Sequence, residues 1–219
     1  MKVFTRSEVM DMERLYRAQF VNSLGGFKSV CLLGTRDPDT HVDNLCIINS
    51  VVHIGANPPY LGFIFRPHTV PRHSLENIAA SGYYTLSHIP VNRVGEAHQT
   101  AAKYDAQVSE FEATGWTPYQ YDDFPAPAVG ESHLQMGFQL EERHEISLNR
   151  TILIIGSLQW VRLQQKAIQP DGFVDLAALD SATNVSLDGY YRAEFVARYD
   201  YARPDQAPTR LPDPDVRKS

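Results

Sequence analysis

The chain has 219 residues, a length typical of one domain and sufficient to bury a sizeable core. Its 20 basic and 26 acidic residues give a formal charge of -6, and the basic residues are scattered along the sequence, which excludes bulk binding to a nucleic-acid backbone. Neither a run of about 18 apolar residues nor an apolar signal core occurs, so we expect no membrane span and a cytoplasmic location.

The first third of the sequence predicts one amphipathic helix followed by strands. Apolar residues recur at helical spacing after Ser7, a candidate N-cap, until Gly25 ends the pattern. Segments rich in Val, Ile and Leu then predict strands over 27–35, 44–54 and 60–65. Turn-forming residues join the first two strands into a hairpin, and Asn57-Pro58-Pro59 separates the second strand from the third.

The rest of the sequence alternates between short helices and strands. Ser74 is predicted to cap a short helix over 75–81, which Gly82 ends. The further predicted elements are a strand over 83–89, a helical stretch over 97–113, two antiparallel strands over 133–141 and 151–163, and a short helix over 174–179. A Pro-rich tail over 204–219 follows a single domain over 1–203.

These elements predict a mainly β protein, an antiparallel barrel of about six or seven strands with helical insertions. A doubly wound sheet needs regular strand–helix alternation and a Gly-rich first turn, and Leu24-Gly25-Gly26 ends a helix instead of opening one. Cys31 and Cys46 lie in apolar, strand-like runs and are predicted to be small buried hydrophobic residues. The common hydrolase motifs are absent from the sequence, and the eight histidines lack the spacing of helical metal ligands, so we expect no metal site.

Several phrases of the sequence, in consistent order and spacing, carry a family resemblance. They include Asn22-Ser23-Leu24-Gly25-Gly26-Phe27, Asn49-Ser50-Val51-Val52-His53, Asn57-Pro58-Pro59-Tyr60-Leu61-Gly62, Arg66-Pro67, Glu76-Asn77-Ile78, His98-Gln99-Thr100-Ala101-Ala102-Lys103-Tyr104 and Ser109-Glu110-Phe111. Together they resemble the flavin-reductase-like family, the flavoredoxin-type split β-barrels that bind flavin mononucleotide (FMN). The resemblance implies an FMN-binding split barrel of antiparallel, Greek-key type and a homodimer.

The same block contains residue types that suit a flavin. Asn49, Ser50 and Val51 would offer backbone groups and short side chains to the pyrimidine edge of the ring, although they also fit the solvated face of a barrel strand. From the resemblance, Arg66 and Ser74 are candidate phosphate ligands, together with the first N–H groups of the helix after Ser74. A surface arginine without a ligand is the alternative for Arg66.

Further candidate residues lie near these two groups. His73 is close in sequence to Ser74, and Asn77 belongs to one of the matching phrases, so both are included as cofactor-binding candidates. His98 and Tyr104 are candidate contacts on the substrate side of the flavin, and a helix packed on the barrel explains them equally well.

The resemblance implies hydride transfer from NADH or NADPH to FMN and electron release to a second acceptor. Because the flavin performs the chemistry, no catalytic acid or base is nominated. The acceptor, either a small molecule or a redox partner protein, is left open. Two other functions also fit the sequence: a non-catalytic FMN protein that shuttles electrons or stores flavin, and a cofactor-free split barrel that acts as a dimeric interaction module.

Overall fold

Antiparallel strands form the centre of the structure, a computed structural model that describes residues 1–214. The strands are β1 (Lys28–Ser29), β2 (Cys31–Arg36), β3 (Asp43–Ile48), β4 (Val52–Ala56), β5 (Pro59–Phe65), β6 (Tyr83–His88), β7 (Pro118–Tyr119), β8 (Ala128–Val129), β9 (Leu134–Ile146), β10 (Thr151–Leu163), β11 (Ala182–Val185) and β12 (Gly189–Arg192). Seven of them form one sheet in the order β3-β2-β6-β9-β10-β5-β4, and β1, β11 and β12 form a second sheet. The predicted mainly β, antiparallel class is confirmed, and the main sheet is not closed.

The two edges of the main sheet lie close together at one point. β3 and β4 are its opposite edge strands, yet only residues 49–51 connect them along the chain. Because three residues span little more than about 10 Å, the sheet must curl until its edges approach each other there. We call residues 49–51 the seam of the barrel.

Five helices are found within the described residues. They are α1 (Arg6–Asp11), α2 (Arg14–Leu24), α3 (His73–Ser81), α4 (Val94–Gln99) and α5 (Glu110–Thr114), with 3-10 turns at Val91–Arg93 and Gln165–Ala167. Within this part of the chain, no helix has the length and apolar character needed to cross a bilayer.

The single opening helix predicted from the sequence is wrong, because the chain forms two. Thr5, not Ser7, caps α1, where it forms a capping box with Glu8. The backbone leaves the helical conformation at Met12, and the carboxylate of Glu13 accepts hydrogen bonds from the first N–H groups of α2. The true cap lies two residues before the predicted one because Thr5 and Glu8 have the capping-box spacing.

Two other predicted helices are also corrected. The stretch over 97–113 is helical only at its ends, in α4 and α5, because the Thr100 hydroxyl bonds back to the Ala97 carbonyl and residues 101–109 form turns, bends and irregular loop. The predicted helix over 174–179 is a series of turns, since the Asp175 carboxylate accepts hydrogen bonds from the N–H groups of Ala177 and Ala178.

Two apolar clusters hold the fold together. One fills the barrel and includes Leu33, Tyr84 and Phe138, and the other lies between β2, β3 and the helices α4 and α5. Adjacent residues of β2 belong to different clusters, as the alternation of side chains along a strand requires. Cys31 is buried as predicted, and burial raises its pKa to about 12.

The segment after β12 also has structure. Isolated β-bridges pair Tyr199 with Arg210 and Arg203 with Gln206, so residues 199–210 form a hairpin. The predicted boundary between the domain and the tail, after residue 203, falls in the turn of this hairpin. Residues 215–219 of the predicted tail lie outside the described residues.

Candidate functional site

The side chains of the seam are bonded within the protein. The Asn49 amide donates to the Asn184 side-chain oxygen and to the Ser186 carbonyl, both at 2.8 Å. The Ser50 hydroxyl accepts from the Ile64 N–H and donates to the Ile64 carbonyl, both at 3.1 Å. These bonds fix the seam against β5 and β11. The groups of the seam that remain available to a ligand are its backbone and the half-buried Val51.

Arg66 follows β5 directly and lies two residues beyond Ile64, the partner of Ser50. Its side chain is exposed and forms no hydrogen bond or ion pair with any other residue of 1–214. A free guanidinium therefore directly follows the strand to which the seam is bonded.

The loop after Arg66 is held by its own side chains. One carboxylate oxygen of Glu76 contacts the His68 ring at 2.9 Å and accepts from the Arg72 N–H at 3.2 Å. The Arg72 side chain donates to the Pro67 carbonyl at 3.2 Å. These contacts bring the loop from the end of β5 back to the start of α3.

The first turn of α3 offers free backbone donors. Arg72 occupies the N-cap position without a side-chain cap, and the Leu75 and Glu76 N–H groups both bond to its carbonyl. Within the described residues, the N–H groups of His73 and Ser74 have no hydrogen-bond partner, which is usual in the first turn of a helix.

Ser74 is not the helix cap that the sequence predicts. It lies inside the first turn, 5% exposed, and its hydroxyl donates to the Asn44 side-chain oxygen on β3 and contacts the Cys46 sulfur at 3.2 Å. The helix begins at His73, and Arg72, whose backbone is not helical, is the N-cap residue.

His73 and Asn77 face a different part of the surface. Both line a cleft of about 200 Å³ between α3 and the turn that joins β2 to β3. The Asn77 amide is buried and donates to the Thr35 hydroxyl at 3.1 Å, which fixes α3 to β2. The structure thus brings His73 and Ser74 together with the start of α3 and places Asn77 one turn further on.

The predicted substrate-side residues lie on α4 and in the loop after it, where α4 contacts the second sheet. The His98 ring contacts the Tyr190 hydroxyl at 2.8 Å, and the Tyr104 hydroxyl accepts from Gln99 at 3.3 Å. Tyr190 pairs across the strands with Asn184, the partner of Asn49. The short second sheet therefore connects His98 to the seam.

Sequence reasoning missed three residues that position this region: Asn184, Tyr190 and Glu110. The first two lie on short strands near the end of the chain, outside the block of matching phrases. Glu110 belongs to one of those phrases but was assigned only to a helical stretch. Its side chain is 5% exposed, and burial raises its pKa, while a hydrogen bond from the Leu45 N–H opposes that rise.

Comparisons with known proteins identify the family to which the fold belongs. Residues 27–180 match the flavin reductase like domain. The chain belongs to this family. A putative flavin reductase with a split barrel domain from Shewanella frigidimarina NCIMB 400 is 44% identical, with a TM-score of 0.88 and coverage of 92% of this chain and 100% of that one. The resemblance stated from the sequence, and with it the split-barrel class, is confirmed.

More distant solved structures share the fold. Nitrilotriacetate monooxygenase component B from Bacillus cereus is 15% identical, with a TM-score of 0.78 and coverage of 90% of this chain and 97% of that one. Flavoredoxin of Desulfovibrio vulgaris (Miyazaki F) is 23% identical, with a TM-score of 0.67 and coverage of 79% and 91%. Among curated proteins, none matches the sequence.

Proposed function

We propose that this flavin reductase-like protein binds FMN along the seam and transfers hydride from NADH or NADPH to it, in the cytoplasm. The observation that carries the proposal is Arg66, exposed and unpaired within the described chain, which lies two residues beyond the Ser50 partner Ile64 on the loop that leads to the free N–H groups of α3. A half-buried backbone edge followed by a free cation at the end of the adjoining strand suits a ligand with a polar ring and a phosphate.

The phosphate would be held by charge and by backbone donors. Arg66 offers a guanidinium fork, and the N–H groups of His73 and Ser74, which have no partner within the described chain, lie at the positive end of the helix dipole. Together they supply the donors that a phosphate dianion needs. The Ser74 hydroxyl contributes indirectly as long as it donates to Asn44.

The ring edge would be held by the seam. Bound FMN supplies the hydride-accepting ring, and the protein has to orient it and to stabilise negative charge at its pyrimidine edge. The backbone N–H groups around Ser50 suit this task because the Ser50–Ile64 hydrogen bonds keep the seam rigid. We assign His98 and Tyr104 to the nicotinamide or acceptor side, with Tyr190 orienting the His98 ring.

We also propose that the protein works as a homodimer. None of the residues of α1 and α2 is buried by the rest of the described chain, and Leu15, Tyr16 and Leu24 are each more than half exposed. Exposed apolar residues on helices that the rest of the described chain leaves uncovered are typical of an interface, so a second copy would cover them. Light scattering tests the dimer: a stable monomer that still holds FMN contradicts it.

The test of the function is steady-state oxidation of NADH and of NADPH by the purified protein with FMN and an electron acceptor. Turnover that depends on both protein and FMN supports a reductase. FMN binding without turnover identifies a non-catalytic electron carrier. A protein that binds no flavin refutes the proposal and leaves the interaction module. Whether free flavin or a redox partner protein takes the electrons is decided by varying the acceptor.

A further inference from the structure

A chain of buried polar groups leads from α5 through β3 to the first turn of α3. One carboxylate oxygen of Glu110 accepts from the Asn44 amide at 2.7 Å and from the Leu45 N–H at 3.0 Å. The Asn44 side-chain oxygen in turn accepts from the Ser74 hydroxyl. Glu110, Asn44 and Ser74 are each at most 6% exposed.

The chemistry of Glu110 fixes the direction of every hydrogen bond in this chain. The NH2 group of Asn44 points at Glu110 and its oxygen points at Ser74, which is the arrangement that an ionised carboxylate requires because it only accepts. Ser74 then has to donate. A buried carboxylate is also costly unless its hydrogen bonds are made, which favours a single arrangement of the three side chains.

We propose that Glu110 is a positioning residue for the phosphate site: through Asn44 and Ser74 it holds the first turn of α3 so that the His73 and Ser74 N–H groups converge with Arg66. This inference rests on the proposed binding of FMN. In this role Glu110 touches no ligand: among the described residues its carboxylate is bonded to Asn44 and Leu45 on β3, and the hydrogen-bonded path to α3 runs through Asn44. Its carboxylate also interacts electrostatically with His73.

The matched variants are Glu110→Gln and Glu112→Gln. Glu112 lies on the same helix but is exposed, so its substitution changes the charge of α5 equally without touching the network. Because both donors bond to the same oxygen of Glu110, a glutamine can keep these bonds through its own oxygen only as weaker neutral ones. It also removes the negative charge that favours one orientation of the Asn44 amide, so the bond from Ser74 to Asn44 is no longer held in one direction.

We expect Glu110→Gln to raise the Kd for FMN about tenfold and the Kd for riboflavin less than about twofold, since riboflavin has no phosphate to lose. Glu112→Gln should bind both flavins like the parent. In a Ser74→Ala background, Glu110→Gln should add less than about a further twofold, because its path to α3 is already cut. Fluorescence titration measures all of these constants.

Several outcomes would overturn the proposal. If FMN binding is unchanged in Glu110→Gln, or if both flavins weaken equally, Glu110 does not position the phosphate site. Full additivity with Ser74→Ala contradicts the proposed path. If Glu110→Gln does not fold, Glu110→Asp serves, because its shorter carboxylate cannot reach both donors and should show the same preference for weakening FMN. If the parent protein binds neither flavin, the proposed function itself is refuted. If the parent binds FMN and the Glu110 variant binds it equally well, only this inference is refuted.

Discussion

Arg66→Ala is expected to weaken FMN binding by roughly ten- to a hundredfold. Arg66 makes no hydrogen bond, ion pair or ring contact with other described residues that its removal would break, so the cost is expected to fall on the ligand. A charge-assisted hydrogen bond to phosphate is worth about 1.5–3 kcal/mol, which corresponds to that loss in affinity. Riboflavin lacks the phosphate and should bind almost as tightly as to the parent.

The assay is a pair of fluorescence titrations, with FMN and with riboflavin, on each variant. Lys166→Ala is the matched control, since Lys166 is an exposed, unpaired cation within the described chain. It follows the C-terminal end of β10, whereas Phe65 pairs with the N-terminal end of that strand. The control should leave both constants unchanged. Equal losses for the two flavins in Arg66→Ala would refute the assignment, because a loosened barrel weakens both.

Three further substitutions test other parts of the account. The Tyr84 hydroxyl is buried without a partner among the described residues, so Tyr84→Phe should leave the free energy of unfolding in urea unchanged or raise it by about 1 kcal/mol; a clear loss would reveal a bond to the hydroxyl. Burial lowers the pKa of the His88 side chain to about 4, so as the pH falls below about 6.5 the unfolded chain is protonated before the folded one. Between about pH 7 and pH 5 the parent should therefore lose about 2 kcal/mol more stability than His88→Gln. Equal dependence of stability on pH in the two proteins would contradict this. His98→Ala should keep measurable reductase activity, whereas a thousandfold loss with FMN still bound would reveal a missed general acid worth about 4 kcal/mol.

The strands and the main turns were predictable because their causes are local. Alternating apolar residues gave β9 and β10, the turn residues after Arg36 gave the hairpin, and Gly82 with its positive φ ends α3 as expected. These features depend on side-chain period and backbone freedom, which the sequence displays directly.

The helix ends and the site were harder to predict because they depend on which of several side chains forms a given hydrogen bond. Thr5 rather than Ser7 caps α1, and the Ser74 hydroxyl donates to Asn44, thirty residues away along the chain, instead of capping α3. The partners of the seam, Asn184 and Ser186, come from beyond residue 180 and could not be paired with Asn49 by any local pattern. Family phrases indicated where a flavin would bind, but only the folded chain shows that the Asn49 and Ser50 side chains brace the seam.

The proposed hydride transfer to bound FMN is tested by an anaerobic titration of the FMN-loaded protein with NADH, followed by the visible absorbance of the flavin. The account predicts that the flavin band bleaches in proportion to the NADH added, that it returns when an acceptor is admitted, and that free FMN at the same concentration reacts far more slowly. A bound flavin whose spectrum is unchanged by both NADH and NADPH would contradict the account.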